Sequence, residues 1–244
     1  MMNLLTIVYT NVLWQPLYNG LIFFYNVIPG HDLGLAIVAL TLIIRLILSP
    51  FLSRAQRSQR ELAVLQPEMK RIQERFKKDK EAQGKAMMEL YATHKVNPFS
   101  GCLILLLQLP ILIALFQVFR TGLDESSLTH LYAFITNPGP LKTLSFGILD
   151  LTKGSIYLGA VAAVTQYFQT KLAVPPPPAD GSQAGDFAKA LQWQTTYFFP
   201  LIILFWSYTL PSALTLYWTA MNIFGIVEQF VLQGHLSLPW KRAP

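Results

Sequence analysis

The sequence predicts an all-α polytopic membrane protein with five transmembrane helices, an N-terminal interfacial amphipathic helix and a cytoplasmic helical hairpin. Hydrophobic residues make up 52% of the 244 residues and charged residues only 13%. Soluble domains carry charge on about a quarter of their residues. Five segments are apolar over nearly the ~20 residues that a helix needs to cross a bilayer. Most of the basic residues are confined to one interval between the first two segments.

The predicted spans occupy the intervals 33–52, 97–120 and 155–172, followed by a hairpin of two helices in 194–232. Pro211 in "TLPSAL" separates these last two helices, because proline lacks the N–H that a helix interior requires. One uninterrupted helix through Pro211 would be far too long for a single crossing. Asn97 and Pro98 are expected to begin the second span as its cap and its first helical residue. The interval 173–193 is a Pro/Gly linker, and 233–244 is a short tail.

The distribution of Lys and Arg predicts the orientation of the spans. The interval 53–95 contains 11 of the 19 basic residues, whereas the chain before residue 33 contains none. The loop 121–154 contains only Lys142 and Lys153. We therefore expect the N-terminus and this loop outside, and the interval 53–96, the linker and the C-terminal tail in the cytoplasm. A bacterial plasma membrane is expected, because no transit peptide is visible.

The interval 1–32 is predicted to contain an amphipathic helix that lies in the outer interface of the membrane. Asn11, Gln15, Asn19 and Asn26 fall close to one helical face, and apolar residues fill much of the rest. A bend is expected at Pro16. The alternative is a sixth span, which would invert the orientation of the N-terminus that the charges predict.

Residues 53–96 are predicted to form a basic helical hairpin in the cytoplasm, with a polar turn at "DKEAQG". Its apolar residues alternate at spacings of three and four, which is typical of a coiled-coil seam. The seam residues are Leu62, Leu65, Met69, Ile72 and Phe76 on the first helix, and Met87, Leu90, Tyr91 and His94 on the second. The basic side chains expected to contact lipid, ribosome or another partner are Arg54, Arg57, Arg60, Lys70, Arg71, Arg75, Lys77 and Lys78. These side chains form either a solvated face or a surface for anionic headgroups or RNA backbone, without sequence-specific nucleic-acid binding.

Arg45 is a permanent cation inside the apolar run "TLIIRLILSP". A charge at the centre of a membrane helix costs at least ~2.5–3.5 kcal/mol. A snorkelling arginine that reaches the inner headgroups is one interpretation. The other is a polar chamber open to the cytoplasm, because most polar residues of four predicted spans fall at or below the midplane. These residues are Thr41, Gln108, Gln166, Gln169, Asn222, Glu228 and Gln229.

These polar residues allow two pairs of alternatives. Single polar residues in membrane helices usually serve as contacts between helices, which is the alternative to a chamber. Glu228 is the only carboxylate within a predicted span, and by depth alone it either pairs with Arg45 or snorkels to the cytoplasmic surface.

Five motifs follow one another along nearly the whole chain, namely "TLIIRLILSPF", "LQPEMKRIQERF", "KVNPFSGCLILLLQLPILIALF", "TQYFQTKL" and "LPSALTLYWTAMNIF". Together they resemble the YidC-type membrane protein insertases, a family that includes mitochondrial and chloroplast relatives. The resemblance implies a five-helix core with a hydrophilic groove in the inner leaflet. It also implies that the groove arginine attracts the polar, often acidic, portion of a nascent protein.

The resemblance implies roles for individual residues. Arg45 matches the groove arginine and Thr41 its polar neighbour, while Gln166 or Gln169 and Trp218 line the groove. A sliding surface for the apolar span of the substrate would consist of Leu109, Ile111, Phe116, Tyr217 and Trp218. The expected function is a membrane protein insertase and chaperone whose partners are nascent membrane proteins and lipids. The ribosome and the Sec translocon are further candidate partners.

No enzymatic activity, cofactor or metal is expected. The single cysteine, Cys102, rules out an intrachain disulfide and a multi-cysteine metal site. The sequence has neither the phosphate-binding GxxxxGK[ST] motif nor GxSxG. A small-anion carrier is disfavoured, because the chain has no inverted repeat. The alternative function is a structural or assembly partner of a translocon without insertase activity of its own.

Overall fold

The computed structural model describes residues 4–97, 100–121, 125–173, 190 and 192–232. The described chain is mostly helical. Its α-helices are α1 (Leu4–Tyr9), α2 (Gln15–Val27), α3 (Leu33–Val64), α4 (Gln66–Arg75), α5 (Lys80–Thr93), α6 (Ser100–Thr121), α7 (Ile156–Ala173), α8 (Phe199–Trp206) and α9 (Ser212–Leu232). The shorter elements are π-helical turns at Thr10–Trp14 and Gln194–Phe198, a 3₁₀ turn at Glu125–His130 and an antiparallel hairpin of strands β1 (Leu144–Ser145) and β2 (Leu149–Asp150).

Helix α3 begins at Leu33, where the first predicted span begins, but it continues to Val64 without a break. The predicted span ended at residue 52 because the hydropathy changes there. The backbone remains helical across this change. Pro50 lies inside α3 and removes one backbone hydrogen bond without ending it. Among the described residues, Leu33–Leu62 is the one helix long and apolar enough to cross a membrane, with a mean hydropathy of 2.4 over its most apolar window.

The other apolar segments also form helices. Helices α6 and α7 overlap the predicted spans 97–120 and 155–172, and Leu106–Arg120 and Gln194–Trp206 are shorter apolar helices. The chain between 194 and 232 forms two helices, because α8 ends at Trp206 and α9 begins directly after Pro211. Pro98, the predicted first residue of the second span, and the tail 233–244 lie outside the described residues, as does most of the linker.

The hydrophobic core is concentrated at one end of the helices. Helix α9 packs against α3, α6 and α7, and α2 packs against α3 and α6. The core residues come from the first half of α3, the second half of α6, the first half of α9 and one face of α2. They include Tyr18, Leu21, Ile22, Tyr25, Leu33, Ala36, Ile37, Leu40, Leu115, Val118, Ala213, Leu214 and Tyr217. Because α3 and α9 start where α6 ends, these halves meet at the end predicted to face outward.

The outer faces of the same helices are apolar and exposed. Such residues include Leu42, Ile43, Leu46, Ile47, Leu106, Ile113, Val161, Val164, Phe168, Leu201, Phe205, Ile223, Val227 and Phe230. Soluble monomers rarely expose a continuous apolar surface of this kind. A hydrocarbon surrounding explains it, since lipid does not disfavour these side chains.

Part of the polar face of the N-terminal helix is covered by protein, whereas Asn11 is exposed. Asn19 of α2 accepts a hydrogen bond from the backbone N–H of Tyr132 at 2.7 Å and donates to the carbonyl of His130 at 3.1 Å. Asn26 donates to the carbonyl of Thr136 at 2.7 Å. The sequence pattern predicted an aqueous surrounding for these amides, and the segment 130–136 takes the place of water. A π-helical turn, Thr10–Trp14, directly precedes α2, and Pro16 is the second residue of α2. The bend expected at Pro16 stays a prediction.

The basic interval forms the end of α3 and the pair α4 and α5, which pack against each other. Leu65 is buried and the other seam residues of α4 are partly covered. His94 is exposed, so its assignment to the seam is wrong. The residues after Asp79 belong to α5 rather than to a turn, because the Asp79 carboxylate caps the helix by accepting from the N–H groups of Glu81 and Ala82.

Asp32 joins the start of α3 to the β-hairpin. Its Oδ1 accepts hydrogen bonds from the N–H groups of Gly34 at 2.8 Å and Leu35 at 3.0 Å, and from the Ser145 hydroxyl. Its Oδ2 accepts from the Phe146 N–H at 2.7 Å. Burial raises the pKa of Asp32, but these hydrogen bonds outweigh burial and hold the pKa below its ordinary value of 3.8.

A second ionised carboxylate lies at the end of β2. Asp150 accepts from the Thr152 hydroxyl at 2.7 Å and pairs with Lys153 at 2.9 Å, and these contacts lower the pKa of Asp150 to about 2. The pKa values of both carboxylates are lower in the folded than in the unfolded chain. Their stabilisation is therefore fully present above about pH 4 and is lost as the pH falls through the folded pKa values.

We predict that Asp32→Asn loosens the β-hairpin at neutral pH. Asparagine has one acceptor oxygen, so it cannot accept from both Phe146 and the start of α3. Amide hydrogen exchange at Phe146 should accelerate by about tenfold, which corresponds to ~1.4 kcal/mol for a lost charged hydrogen bond. The protection factor of this amide, which compares its exchange with that of the unfolded chain at the same pH, should fall below about pH 4 in the wild type and much less in the variant. Equal exchange rates in the two proteins at pH 7 would contradict the prediction.

Candidate functional site

Arg45 lies in the middle of α3, at the boundary between the packed end of the helices and a polar end. Its side chain is partly buried and interacts electrostatically with Tyr217 and Glu228 of α9. The ion pairs within the described chain are Lys70–Glu74, Lys85–Glu81 and Lys153–Asp150, so no described carboxylate pairs directly with Arg45. The guanidinium is therefore a partly buried charge without a neutralising partner among the described residues.

Towards the packed end, a hydrogen bond between α6 and α9 lies next to Arg45. Gln108 donates from its side-chain amide to the Tyr217 hydroxyl at 2.6 Å. Tyr217 is buried, and its ring belongs to the hydrophobic core. Thr41, one turn before Arg45, is also buried, and its hydroxyl donates to the carbonyl of Ile37 at 2.6 Å. Thr41 thus satisfies its own helix rather than the guanidinium.

Towards the polar end, Ser49 lies one turn after Arg45 and donates its hydroxyl hydrogen bond to Glu228 Oε1 at 2.7 Å. The direct Arg45–Glu228 pair that depth alone allowed is therefore absent from the described structure, and Ser49 is the partner of the carboxylate. The sequence pattern did not predict a role for Ser49. Its spacing of four residues from Arg45 could have indicated one, because this spacing places both side chains on one helical face.

A third set of polar contacts joins α3 to the last turn of α9. Gln229 is fully buried and donates to Gln56 Oε1 at 2.6 Å. The Arg60 guanidinium donates to Gln229 Oε1. Arg60 was predicted to be part of the basic exterior, but it points inward to α9. The helical spacing could have indicated this orientation. Spacings of four, seven and four residues place Arg45, Ser49, Gln56 and Arg60 on one face of α3.

The remaining predicted polar residues lie between α9 and α7. The Trp218 indole N–H donates to Gln166 Oε1 at 3.0 Å, and Gln166 donates to the Thr170 hydroxyl at 2.9 Å. Asn222 is 1% exposed and donates to the carbonyl of Ala162 at 3.4 Å. Gln169 lies against Gly225, where an added Cβ would meet its side chain at 3.1 Å.

The structure thus divides the predicted groove residues between two faces of α9. Tyr217 and Glu228 are 11 residues apart, or three helical turns, and share the face towards α3 and α6. Trp218 and Asn222 lie on the neighbouring face towards α7. Only the first face contacts the Arg45 region directly.

The described residues contain no group of three or more His, Cys, Asp or Glu side chains arranged to hold a metal ion. The arrangement around Arg45 instead offers charge, amide and hydroxyl groups on an otherwise apolar helix surface. Such a site can bind a polar or charged segment by electrostatic attraction and hydrogen bonding.

Comparison with known proteins assigns the chain to a family. Residues 23–238 match the family model described as 60Kd inner membrane protein. The chain belongs to the 60Kd inner membrane protein family. Members of this family are membrane proteins, in agreement with the apolar exterior.

Curated relatives in this family are named Membrane protein insertase YidC. Three of them come from Francisella tularensis subsp. novicida (strain U112), subsp. tularensis (strain WY96-3418) and subsp. holarctica (strain FTNF002-00 / FTA). Each is 37% identical over 211 residues, which is 86% of this chain and 34% of the relative. The chain thus spans about a third of the length of the curated relatives it matches. Their names describe an insertase rather than an enzyme.

The residues of the expected sliding surface differ in how much of each side chain is exposed. Leu109 is 42% exposed, and Phe116 and Trp218 are partly exposed. Ile111 and Tyr217 are buried in the core. Helix packing covers these two side chains, so they are not part of the accessible surface.

The basic side chains expected to contact lipid or ribosome are mostly accessible. Apart from Arg60, Lys70 alone is partly covered, and it lies 3.9 Å from the Glu74 carboxylate. The exposed members are Arg54, Arg57, Arg71, Arg75, Lys77 and Lys78.

We predict that Gln229→Leu lowers the free energy of unfolding by about 1–3 kcal/mol, because it leaves the Arg60 guanidinium and the Gln56 amide without their buried partner. The thermal unfolding midpoint of the detergent-solubilised protein measures this change. The control is the double variant Gln56→Leu/Gln229→Leu, which replaces both amides and should recover part of the loss. A single variant as stable as the wild type would contradict the role of this contact.

Proposed function

We propose that this chain is a membrane protein insertase that draws short polar segments of nascent proteins into the cytoplasmic half of the bilayer and releases their apolar spans into lipid. The observation that carries the proposal is Arg45, a partly buried charge without a neutralising described partner, located where the packed core gives way to polar contacts. The names of the curated relatives support the same function.

The distribution of polar and apolar side chains supports a chamber closed on one side. The core between α2, α3, α6 and α9 fills the predicted outer half with large apolar groups. Beyond Arg45, the same helices carry Ser49, Gln56, Glu228 and Gln229. A polar region that reaches halfway across shortens the hydrocarbon barrier that a hydrophilic segment has to cross.

Attraction to Arg45 supplies part of the remaining free energy. A charge pair interacts more strongly in a medium of low effective dielectric than in water. An Asp or Glu of the entering segment would therefore be stabilised at Arg45, which lacks a competing ion pair among the described residues. No nucleotide is required, since the gain comes from the pairing and from transfer of the apolar span into lipid.

The topology belongs to the same proposal. Five crossings with the N-terminus outside and the C-terminus in the cytoplasm place the exposed Arg54, Arg57, Arg71 and Arg75 at the cytoplasmic surface. Cations at this surface favour anionic headgroups by ~1 kcal/mol each. Ribosomal RNA is the other anionic partner that the same charges fit.

Reconstitution tests the proposal. The purified chain in liposomes would receive a short single-span substrate with an acidic N-terminal tail, and protease protection of the tail would measure insertion. We expect protection well above that in protein-free liposomes. Insertion equal to that in protein-free liposomes would overturn independent insertase activity and favour the structural partner of a translocon.

A further inference from the structure

Glu228 is an incompletely satisfied acidic side chain in the polar half of the helices. The residue is 8% exposed, and its Oε1 accepts the hydrogen bond from Ser49 at 2.7 Å. Its other oxygen, Oε2, is buried and has no hydrogen-bond partner within the described structure. One half of the carboxylate is therefore paired and the other half is not.

A buried carboxylate oxygen without a donor is costly, because it has lost its hydration without gaining a hydrogen bond. Native proteins pair nearly all such atoms, so an exception calls for a donor from elsewhere. The atom that is missing a partner is an acceptor, which restricts the partner to a group carrying N–H or O–H. An ionised carboxylate would not fit, because it has no hydrogen to donate.

Two donors on the helices that carry Ser49 and Glu228 are committed to other acceptors. On α3, Arg60 donates to Gln229. On α9, Gln229 donates to Gln56. Arg45 interacts with Glu228 electrostatically but forms no ion pair with it in the described structure. Rearranging Arg60 or Gln229 to reach Oε2 would break an existing contact, and Arg45 lies beyond ion-pair distance from the carboxylate in the described structure.

The place of Glu228 along the helices defines when an entering segment would reach it. Ser49, its partner, lies four residues after Arg45, which is ~6 Å closer to the predicted cytoplasmic end. A segment entering from the cytoplasm would therefore pass Glu228 before it reaches Arg45. The two side chains place opposite charges in sequence along one path.

We propose that the Glu228 carboxylate binds a primary ammonium group of the entering polypeptide, either a lysine side chain or a free N-terminal amine. The ammonium group supplies three donors and the opposite charge, so it satisfies Oε2 and offsets its desolvation. This inference rests on the proposed insertase function. It extends the substrates from acidic segments, which Arg45 attracts, to segments that carry an ammonium group.

Carbodiimide coupling tests the contact. A carbodiimide takes up the oxygen and hydrogens lost when a carboxyl group and an amine condense, and becomes a urea, so an amide forms only where the two groups meet. Dicyclohexylcarbodiimide, which enters the membrane, would be added to the reconstituted chain with one of three single-span peptides. The first has one lysine in its tail and an acetylated N-terminus, the second has a free N-terminus and no lysine, and the third has both amines acetylated.

Mass spectrometry should locate the peptide on Glu228 with the first or second peptide, which identifies the source of the ammonium group, and never with the third. This comparison uses the wild-type chain and so does not depend on the folding of a variant. Absence of any adduct at Glu228 would overturn the inference. If the wild-type chain fails to insert any peptide, the proposed insertase function fails while the adduct still decides whether the ammonium group binds.

Variants add the functional readout. Glu228→Gln keeps an oxygen for Ser49 but removes the charge, and it should lower insertion of the lysine-tailed peptide by about tenfold. It should not lower insertion of an acidic-tailed peptide, because it removes a carboxylate that interacts electrostatically with Arg45. Glu89→Gln, the same change at an exposed position of α5, is the matched control and should alter neither. Equal loss for both tails, or loss for neither, would overturn the assignment of Glu228 as an ammonium site.

Discussion

Arg45→Ala is expected to lower the insertion of a substrate with an acidic tail by about 10- to 100-fold, which corresponds to the ~1.5–3 kcal/mol of a hydrogen bond to a charged group. The guanidinium is partly buried and lacks a neutralising partner among the described residues, so it is available to a carboxylate. Protease protection of the tail in proteoliposomes measures the effect.

Arg45→Lys separates charge from geometry in the same assay. Lysine keeps the charge but loses the planar fork of donors, so we expect it to retain most of the insertion. Arg120→Ala is the matched control for a lost cation, because Arg120 is exposed at the far end of α6. Equal insertion by the wild type and Arg45→Ala would show that Arg45 hydrates or stabilises the helices and does not act on the substrate.

Gly154→Ala is expected to lower the free energy of unfolding by about 3 kcal/mol, at the upper end of the usual cost of overpacking. A Cβ at Gly154 would lie 2.1 Å from the carbonyl oxygen of Tyr208 and 2.8 Å from that of Ser207. These are backbone atoms, and they cannot rotate away as a side chain would.

Two hydrogen bonds hold this contact in place. Ser155 donates its N–H to the Ser207 carbonyl at 2.9 Å, and Ser212 donates its N–H to the Lys153 carbonyl at 2.8 Å. They attach the start of α7 to the turn between α8 and α9 on both sides of Gly154. Room for a methyl group therefore requires at least one of them to stretch.

The thermal midpoint of Gly154→Ala in detergent should fall by about 6–12 °C relative to the wild type. Gly84→Ala is the matched control, because Gly84 lies within α5 and an added Cβ there meets nothing within 4 Å. That change should stabilise the protein by about 0.5–1 kcal/mol, since alanine loses less conformational freedom in a helix. A midpoint for Gly154→Ala equal to that of the wild type would contradict the prediction.

Much of the helical architecture could be predicted from local sequence. The apolar runs became helices, and the proline at 211 marked the break before α9, since hydropathy and backbone preference act over a few residues. The end of α3 could not be read in this way, because the helix continues past the point where its hydropathy changes.

The candidate site was predictable in part. Arg45 was recognisable as a charge within an apolar run. The position of Glu228 along its predicted span indicated a depth in the membrane similar to that of Arg45. Ser49 and Arg60 were missed although their spacing places them on the same face of α3 as Arg45, because each is unremarkable on its own.

By itself, the sequence determined which segments are apolar, where the charges are concentrated and which family the chain belongs to. Only the tertiary structure decided that Ser49 rather than Arg45 pairs with Glu228, that Asn19 faces the 130–136 segment and that Ile111 lies in the core. These outcomes depend on how each helix is rotated towards helices that are distant in sequence. The period of one helix defines its faces, but the packing of several helices decides what each face contacts.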